Sequence, residues 1–412
     1  MSDPTPSLPG SVDIAVIGAG PAGTAAATLL AQQGWSVALC EKRRFPRFQI
    51  GESLVPAVNL TLERLGVLDR MDATRAPRKH AVQFFHPKGA SRPFYFSEVD
   101  DPRMHSTWQV LRSEFDAMLL DNAIAHGVAA STETEVVDVL CEDDAVRGLT
   151  VRSALGAEQD VHARVVVDAS GQQGIVARRF GRREHIHGLE NGAVYAHYEG
   201  AQRDTGIDAG STLIFRLDRQ SWIWFIPLPD TVSVGLVSPA RELASFGESP
   251  EAILDAAIAR CGPLAERLNS AQRTGEVRAV RDFSYRATRD GGRGWMLVGD
   301  ALAFIDPIYS TGLFLAMHSA EHAAAAIESA LRGANGKQPD FAGFAGRYHE
   351  SYTQLLVLVR AYYHDDIRFG DLARDPTQRR GLIDLLTGVV GTPEAAAVTH
   401  SLRGFLGPLG VL

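Results

Sequence analysis

The sequence predicts an α/β protein built from a parallel sheet layered with helices, into which a second, antiparallel sheet is inserted. Short apolar runs typical of buried parallel strands alternate with helical segments near the N-terminus and recur at 165–169 and 295–299. Between these two runs, residues 190–285 are rich in aromatic and β-branched residues, which favour antiparallel strands. The last part of the chain, 340–412, is mostly helical in character.

The individual elements follow from local signals of periodicity and turn chemistry. Strands are predicted at 12–17, 36–41, 81–86, 93–98, 165–169, 193–199, 211–217, 222–228, 231–238 and 295–299. Helices closed by a glycine are predicted at 21–33, 56–66 and 313–332. A further helix is predicted to begin at a capping box formed by Ser113 and Asp116 and to end near Gly127.

Composition and charge exclude several functions. The chain of 412 residues carries a net charge of -8, which argues against nucleic-acid binding because that function requires a basic surface. Its three cysteines, Cys40, Cys141 and Cys261, are far apart and have no metal-ligand spacing. The sequence therefore predicts neither a disulfide framework nor a zinc site, as expected in a reducing compartment.

The N-terminal region lacks the pattern of a secretory signal. Residues 1–11 have no cationic segment ahead of the apolar run and are predicted to be disordered. The apolar stretch 14–30 is interrupted by glycines and a proline, so it is interpreted as a strand, a turn and a helix. We expect a cytoplasmic protein without a membrane span.

A glycine motif joins the first predicted strand to the first predicted helix. Gly18, Gly20 and Gly23 form the pattern G-x-G-x-x-G, which allows a tight turn, the approach of a pyrophosphate and close packing of the helix on the strand. Glu41, at the end of the second strand, can accept hydrogen bonds from an adenosine ribose. The alternative interpretation is a glycine-rich turn without a ligand. The motif predicts a Rossmann-type dinucleotide site, to which we also assign Ala22 and Lys42.

Two later segments indicate which dinucleotide is bound. Residues 298–301 form a strand end at which Asp300 can bind ribityl or pyrophosphate-linked hydroxyls, and 167–171 run from a strand into a turn of small residues. With the glycine motif, these segments resemble the FAD-dependent monooxygenase superfamily of the aromatic hydroxylase type, from about residue 12 to about residue 335. The resemblance implies FAD and places Arg112 beside the flavin. Alone, Asp300 could be a helix-capping carboxylate and Arg112 a surface charge.

This resemblance divides the chain into three regions. A discontinuous FAD-binding domain is predicted from 12–80, 106–185 and 286–335. An antiparallel-sheet substrate domain is predicted from 81–105 and 186–285, and a helical C-terminal region from 336–412.

Two tryptophans on one predicted strand narrow the chemistry. Residues 222–227 read Trp-Ile-Trp-Phe-Ile-Pro and resemble the W-x-W-x-I-P element of flavin-dependent halogenases. Trp222 and Trp224 point to the same face of a strand and together form a bulky wall. In the family this wall is thought to keep the substrate away from the flavin. The alternative is two indoles that fill a core, and the element also occurs in relatives that do not halogenate.

A loop of small residues precedes the predicted helix 313–332. Residues 304–312 read Phe-Ile-Asp-Pro-Ile-Tyr-Ser-Thr-Gly and resemble the halide-binding loop of the same family. Unpaired N–H groups at a helix N-terminus can hold a small anion. The resemblance implies that the amides of Thr311 and Gly312 contact chloride and that Pro307 and Gly312 lie against the flavin. An ordinary flavin-contacting loop is the alternative. Tyr309 stands where tryptophan-type halogenases carry a glutamate, which favours a phenol or pyrrole class.

Lys79 is the candidate catalytic residue. It follows a segment, 50–56, that strongly resembles the halogenase family, and it occupies the place of that family's essential lysine. Lysine suits this role because it is a flexible donor whose pKa falls on burial. By charge pattern alone, Lys79 could equally belong to a basic loop with Arg75 and Arg78.

The resemblance implies a function in the halogenation of aromatic rings. Reduced FAD, O2 and chloride or bromide would form hypohalous acid, which would pass behind the tryptophan wall to Lys79 and react with a phenol or pyrrole. A separate NAD(P)H-dependent flavin reductase and a substrate carried on an acyl or peptidyl carrier protein are the expected partners. A hydroxylase or dehydrogenase without halide use is the enzymatic alternative, and a flavin-fold escort protein the non-enzymatic one.

Overall fold

The computed structural model describes residues 8–87, 89–281, 284–333, 337–364, 367 and 369–406. Its strands, in chain order, are β1 (Ser11–Ile17), β2 (Val37–Cys40), β3 (Arg78–Lys79), β4 (Ala81–His86), β5 (Gly89–Ala90), β6 (Phe94–Tyr95), β7 (Thr107–Trp108), β8 (Ala129–Ser131), β9 (Thr134–Glu142), β10 (Ala145–Ser153), β11 (Glu158–Asp168), β12 (Arg183–His185), β13 (Asn191–Glu199), β14 (Thr212–Arg216), β15 (Trp222–Pro227), β16 (Val232–Pro239), β17 (Gln272–Arg281), β18 (Tyr285–Ala287), β19 (Gly291–Gly292), β20 (Trp295–Leu297) and β21 (Ala303–Phe304).

The helices lie on both sides of the first sheet, beside the second sheet and in the C-terminal region. They are α1 (Pro21–Gln32), α2 (Val58–Arg64), α3 (Leu68–Asp72), α4 (Arg112–Ala125), α5 (Ile175–Phe180), α6 (Pro250–Arg260), α7 (Gly262–Arg267), α8 (Gly312–Gly333), α9 (Gly346–Tyr363), α10 (Phe369–Leu372), α11 (Pro376–Thr387) and α12 (Pro393–Leu406).

The first sheet is the parallel sheet that the sequence predicts. Its strand order is β19-β20-β11-β1-β2-β8, and every neighbouring pair from β20 to β8 is parallel. The hairpin β9–β10 pairs with β11 and extends the sheet in antiparallel fashion. Because β1 and β2 are covered on both faces, they are continuous apolar runs without alternation. The predicted fold class, a Rossmann-type domain with an inserted sheet and a helical tail, is confirmed.

The second sheet has the order β17-β13-β16-β15-β14-β4-β5, with β6 paired to β4. All these pairs are antiparallel, as the sequence predicts for the inserted sheet, except β14–β4, which is parallel. Alternation along β15 separates two cores. Trp222 and Trp224 face the core shared with the first sheet, and Ile223 and Phe225 pack with α6 and α7.

Two local predictions are corrected by tertiary contacts. The strand predicted at 93–98 ends at Tyr95, because the chain turns into a single 3-10 turn that buries the Phe96 ring. The capping box of Ser113 and Asp116 is wrong, because α4 starts at Arg112, which pairs with Asp116. Helices α6 and α7 were not predicted.

The ends of the chain are partly described. Residues 8–11, which were predicted to be disordered, lie against β11: the Gln159 side chain donates to the Leu8 carbonyl, and the His162 N–H donates to the Gly10 carbonyl. Residues 1–7 and 407–412 lie outside the described residues. The helical character predicted for the tail is confirmed by α9 to α12. Among the helices described, none combines the length and apolar character needed to cross a membrane.

Candidate active site

A cavity of about 460 Å³ lies between the carboxyl ends of the parallel strands and the inner face of the second sheet. Ligands of doubly wound α/β sheets bind at this edge. The predicted site residues that line the cavity are Gly18, Gly20, Ala22, Glu41, Lys42, Arg112, Trp222, Trp224, Asp300, Pro307 and Gly312. Gly23, Lys79 and Thr311 are not among the residues that line it.

The glycine motif forms a cradle at one end of the cavity. A Cβ on Gly18, whose φ is +96°, would lie 2.5 Å from the Ala169 carbonyl oxygen. A Cβ on Gly23 would lie 1.9 Å from the Gly18 carbonyl oxygen, so this residue serves close packing of α1 on the turn. At Gly20, the N-cap of α1, the space is open except for one atom of Arg47 at 3.8 Å. The open side of the turn fits the approach of a pyrophosphate to a helix N-terminus.

Glu41 is held rigidly at the end of β2. One of its carboxylate oxygens accepts a hydrogen bond from the Ala19 N–H at 3.0 Å, and the other accepts one from the Arg43 N–H at 2.8 Å. A carboxylate oxygen can accept more than one hydrogen bond. Both oxygens can therefore also receive ribose hydroxyls from the cavity, as the sequence predicts.

Arg112 and Asp300 both line the cavity. The Arg112 guanidinium donates two hydrogen bonds to Asp116, at 2.7 and 2.9 Å, and a third to the Ile50 carbonyl at 2.8 Å. Arg112 thus fixes the segment around Ile50 beside the cavity. Asp300 follows β20, and burial raises the pKa of its carboxyl to about 6, although the nearby guanidiniums of Arg112 and Arg183 favour its charged form.

The two tryptophans form a wall of the cavity. Their ring centroids are 6.1 Å apart, and both side chains are buried. The Trp224 indole N–H donates to the Ser233 hydroxyl at 3.1 Å, and the Trp222 indole N–H donates to the Tyr363 hydroxyl at 2.7 Å. Each indole therefore has a fixed orientation, which a wall of defined shape requires.

The loop 304–312 enters α8 through a constrained turn. The Asp306 side chain accepts a hydrogen bond from the Ile308 N–H, residues 307–309 form a 3-10 turn, and Ser310 adopts a left-handed conformation with φ of +58°. The first N–H groups of a helix have no intrahelical acceptor, and the amides of Thr311 and Gly312 lie at this helix start. Gly312 lines the cavity, whereas Thr311 is buried and its hydroxyl has no hydrogen-bond partner in the described part of the chain.

Asp306 connects this loop to the tryptophan wall, which sequence reasoning missed. Its buried carboxylate accepts hydrogen bonds from the Asn191 amide at 2.8 Å and from the Tyr363 hydroxyl at 3.0 Å. The Tyr363 oxygen in turn accepts from Trp222. Burial raises the pKa of Asp306 to about 6, even though these donors stabilise its charged form. An Asp directly before Pro307 was the only sequence signal for this role.

Lys79 is buried directly behind the cavity. Its backbone is held by pairing of β3 with β7, and its side chain is 2% exposed. The ammonium group donates to the Ser53 hydroxyl at 2.8 Å and to the Leu54 carbonyl at 2.9 Å, and it lies 5.5 Å from the centre of the Phe96 ring. Desolvation by burial lowers the pKa of Lys79 to about 7. The reading of Lys79 as a solvated member of a basic loop is therefore wrong.

Ser53 joins Lys79 to the cavity. Its hydroxyl lies 3.0 Å from the Thr212 hydroxyl, and both residues line the cavity. The Gln109 amide donates to Thr212 at 2.8 Å and completes a buried chain of polar groups. One hydroxyl thus separates the lysine from the cavity. Ser53 and Thr212 were not predicted, because their proximity depends on packing of residues 159 positions apart.

Glu52 is a second buried polar group at the cavity that the sequence analysis did not assign. One of its carboxylate oxygens lies 2.8 Å from a ring nitrogen of His197, and the other is buried without a hydrogen-bond partner among the described residues. The resemblance of the segment 50–56 was the available signal for both Glu52 and Ser53.

The fold and the site define an FAD-binding protein, and residues 11–339 match the family model described as an FAD binding domain. A brominase of 1H-pyrrole-2-carbonyl on a peptidyl-carrier protein, from Pseudoalteromonas luteoviolacea, is 34% identical over 92% of this chain and 92% of that protein. A tryptophan 2-halogenase of Chondromyces crocatus is 33% identical over 88% of this chain and 69% of that protein. A solved flavin-dependent brominase has a TM-score of 0.87 and 32% identity over 96% of this chain and 98% of that one. The chain therefore belongs to the flavin-dependent halogenases.

Membership in this family gives the class of reaction. The chain is an FAD-dependent oxidoreductase that halogenates aromatic substrates, so the predicted family, cofactors and enzyme class are confirmed. The site fits FAD: the open space at Gly20 admits phosphates, Glu41 presents two fixed carboxylate oxygens, and the tryptophan wall closes the far end.

Proposed function

We propose that this halogenase acts on a pyrrole ring attached to a carrier protein, with a phenol as the second candidate ring. The pyrrole-carrier brominase matches almost end to end, whereas the match covers only 69% of the tryptophan halogenase. Tyr309, in place of the glutamate expected of the tryptophan class, also supports this choice.

The observation that carries the proposed mechanism is a buried lysine one hydroxyl away from the flavin cavity. When bound, reduced FAD supplies, with O2, the oxidising equivalents that turn a halide ion into hypohalous acid. The amides of Thr311 and Gly312 hold the halide before this step. Trp222 and Trp224 keep the aromatic substrate from the flavin, and their buried, hydrogen-bonded rings support this role as a wall.

Lys79 delivers the halogen in one of two ways. As an ammonium it donates a hydrogen bond to hypohalous acid and holds its halogen toward the substrate. As a neutral amine, which a pKa of about 7 makes abundant, it forms an N–halogen bond and releases water. The aromatic carbon then takes the halogen, the ring loses its proton, and the amine regains its hydrogen. Ser53 holds the amine in position in either case.

The proposal includes two partners. A separate NAD(P)H-dependent flavin reductase supplies FADH2, since the sequence carries a single dinucleotide motif. A carrier protein presents the pyrrole ring, and the similarity to a brominase of a carrier-bound pyrrole supports this partner.

The test is a reaction with FADH2, O2 and either bromide or chloride, using free and carrier-bound pyrroles and phenols. Mass spectrometry should show the isotope pattern of a halogenated product with a carrier-bound pyrrole, and none when halide is omitted. Halogenation of free rings alone would overturn the carrier proposal. A hydroxylated product without halogen would favour the hydroxylase alternative.

A further inference from the structure

Arg47 enters the cavity at its glycine-motif end. It follows the exposed basic residues 42–44 in the loop after β2, but its own side chain is only 11% exposed. A Cβ built on Gly20 would lie 3.8 Å from one terminal nitrogen of Arg47. The guanidinium is therefore close to the N-terminus of α1, at the point where the glycine motif leaves room for a ligand.

Two arginines share a single buried carboxylate at this end. Asp116, which is 0% exposed, accepts both hydrogen bonds of the Arg112 fork, and Arg47 lies 3.1 Å from the same carboxylate. The charges that act on one another here are those of Arg43, Arg47 and Arg112 against those of Glu41 and Asp116, which leaves a surplus of one positive charge beside the cavity. Such a surplus is costly in a buried place unless an anion compensates it.

The unused hydrogen-bond donors belong to Arg47 and not to Arg112. All three nitrogens of Arg112 donate to Asp116 or to backbone carbonyls. In Arg47, Nε and Nη1 are buried and have no hydrogen-bond acceptor among the described residues; the contact of Nη1 with Asp116 is an ion pair by distance only. Buried donors of this kind are normally satisfied by a partner.

We propose that Arg47 binds the pyrophosphate of FAD, together with the N–H groups at the start of α1. A pyrophosphate supplies the negative charge that balances this surplus and oxygen acceptors for the unpartnered donors of Arg47. The planar fork of an arginine matches phosphate oxygens in a bidentate manner. Asp116 then acts as a positioning residue that orients both guanidiniums.

The experiment measures equilibrium FAD binding to the full chain by flavin fluorescence. Arg47→Gln should weaken FAD affinity by about 10- to 100-fold, because hydrogen bonds to charged groups are lost while the phosphates stay desolvated. Riboflavin, which has no phosphate, should bind Arg47→Gln and the wild type equally. Arg44→Gln is the matched control, because it removes the same charge from an exposed residue of the same loop outside the cavity, and it should leave FAD affinity within about twofold.

Arg47→Lys keeps the charge beside Asp116 and loses the fork. It should bind FAD more weakly than the wild type and more tightly than Arg47→Gln, and it decides the matter if Arg47→Gln does not fold. Unchanged FAD affinity in either variant, or an equal loss for riboflavin, overturns the proposal. FAD and riboflavin affinities do not depend on halogenation. A negative result for Arg47 would therefore leave the proposed substrate and the role of Lys79 untouched.

Discussion

Lys79 is buried, and the pKa of its amine reflects that burial. Burial lowers its pKa from 10.5 to about 7. Below pH 7 the amine is protonated in the folded and the unfolded chain, so the full cost of burying the charge is present. Between about pH 7 and pH 10.5 the unfolded chain binds the proton and the folded chain does not. Stability contributed at this residue therefore rises with pH.

Lys79→Met should remove this pH dependence. The free energy of unfolding of the wild type, relative to that of the variant, should rise between pH 7 and pH 10 by at most roughly 1.4 kcal/mol per pH unit. Urea denaturation of both proteins across this range measures the difference. A difference that stays constant with pH would contradict the burial-driven pKa.

Residues whose role depends on their neighbours along the chain could be predicted from the sequence. Gly18, Gly20 and Glu41 could be assigned because the motif fixes its own turn and helix. Ser53 and Arg47 could not, because each acquires its role from contacts made only in the folded chain: Ser53 with Thr212, and Arg47 with Asp116.

Hydrogen bonds hold the loop 304–312, the tryptophan wall and helix α9 together. The Tyr363 hydroxyl, near the end of α9, accepts a hydrogen bond from Trp222 and donates one to Asp306. One hydroxyl thus ties three elements that come from distant parts of the sequence. Polar networks of this type are specific because every member has to be satisfied.

Tyr363→Phe should lower the free energy of unfolding by roughly 1–3 kcal/mol, because the Trp222 indole N–H and the Asp306 carboxylate each lose a buried partner. Tyr348→Phe is the matched control in the same helix, since its buried hydroxyl has no hydrogen-bond partner among the described residues. Chemical denaturation measures both variants. Equal stabilities of the two variants would show that the network does not bind these elements together.

Elements with a strong local period were predicted well, and short ones were not. The strands of the parallel sheet and helix α8 carry long apolar patterns, whereas Phe96 leaves its predicted strand to bury a ring near Lys79. Helix α4 begins at Arg112, and the Asp116 side chain pairs with Arg112 instead of forming a capping box with Ser113.

At the scale of the whole molecule, the two sheets meet around one cavity, and Lys79 lies behind its wall. The parallel sheet and α1 form the glycine-motif end of the cavity, the second sheet supplies Trp222, Trp224 and Thr212, and Lys79 lies behind the contact of Thr212 with Ser53. The sequence predicted a parallel sheet with a second sheet inserted, because buried apolar runs alternate with β-branched and aromatic segments. It did not predict that the two sheets meet around one cavity, because that depends on their packing in the folded chain. The division into an FAD-binding and a substrate domain stays a prediction.

A product assay of Lys79→Met tests most directly the proposal that halogen reaches the substrate through Lys79. With FADH2, O2, bromide and a carrier-bound pyrrole, the variant should lose brominated product by at least about 100-fold and still oxidise the flavin and release peroxide. Arg78→Gln, an exposed neighbour paired with Asp72, should keep near-normal bromination. Bromination by Lys79→Met at the wild-type rate would contradict the account.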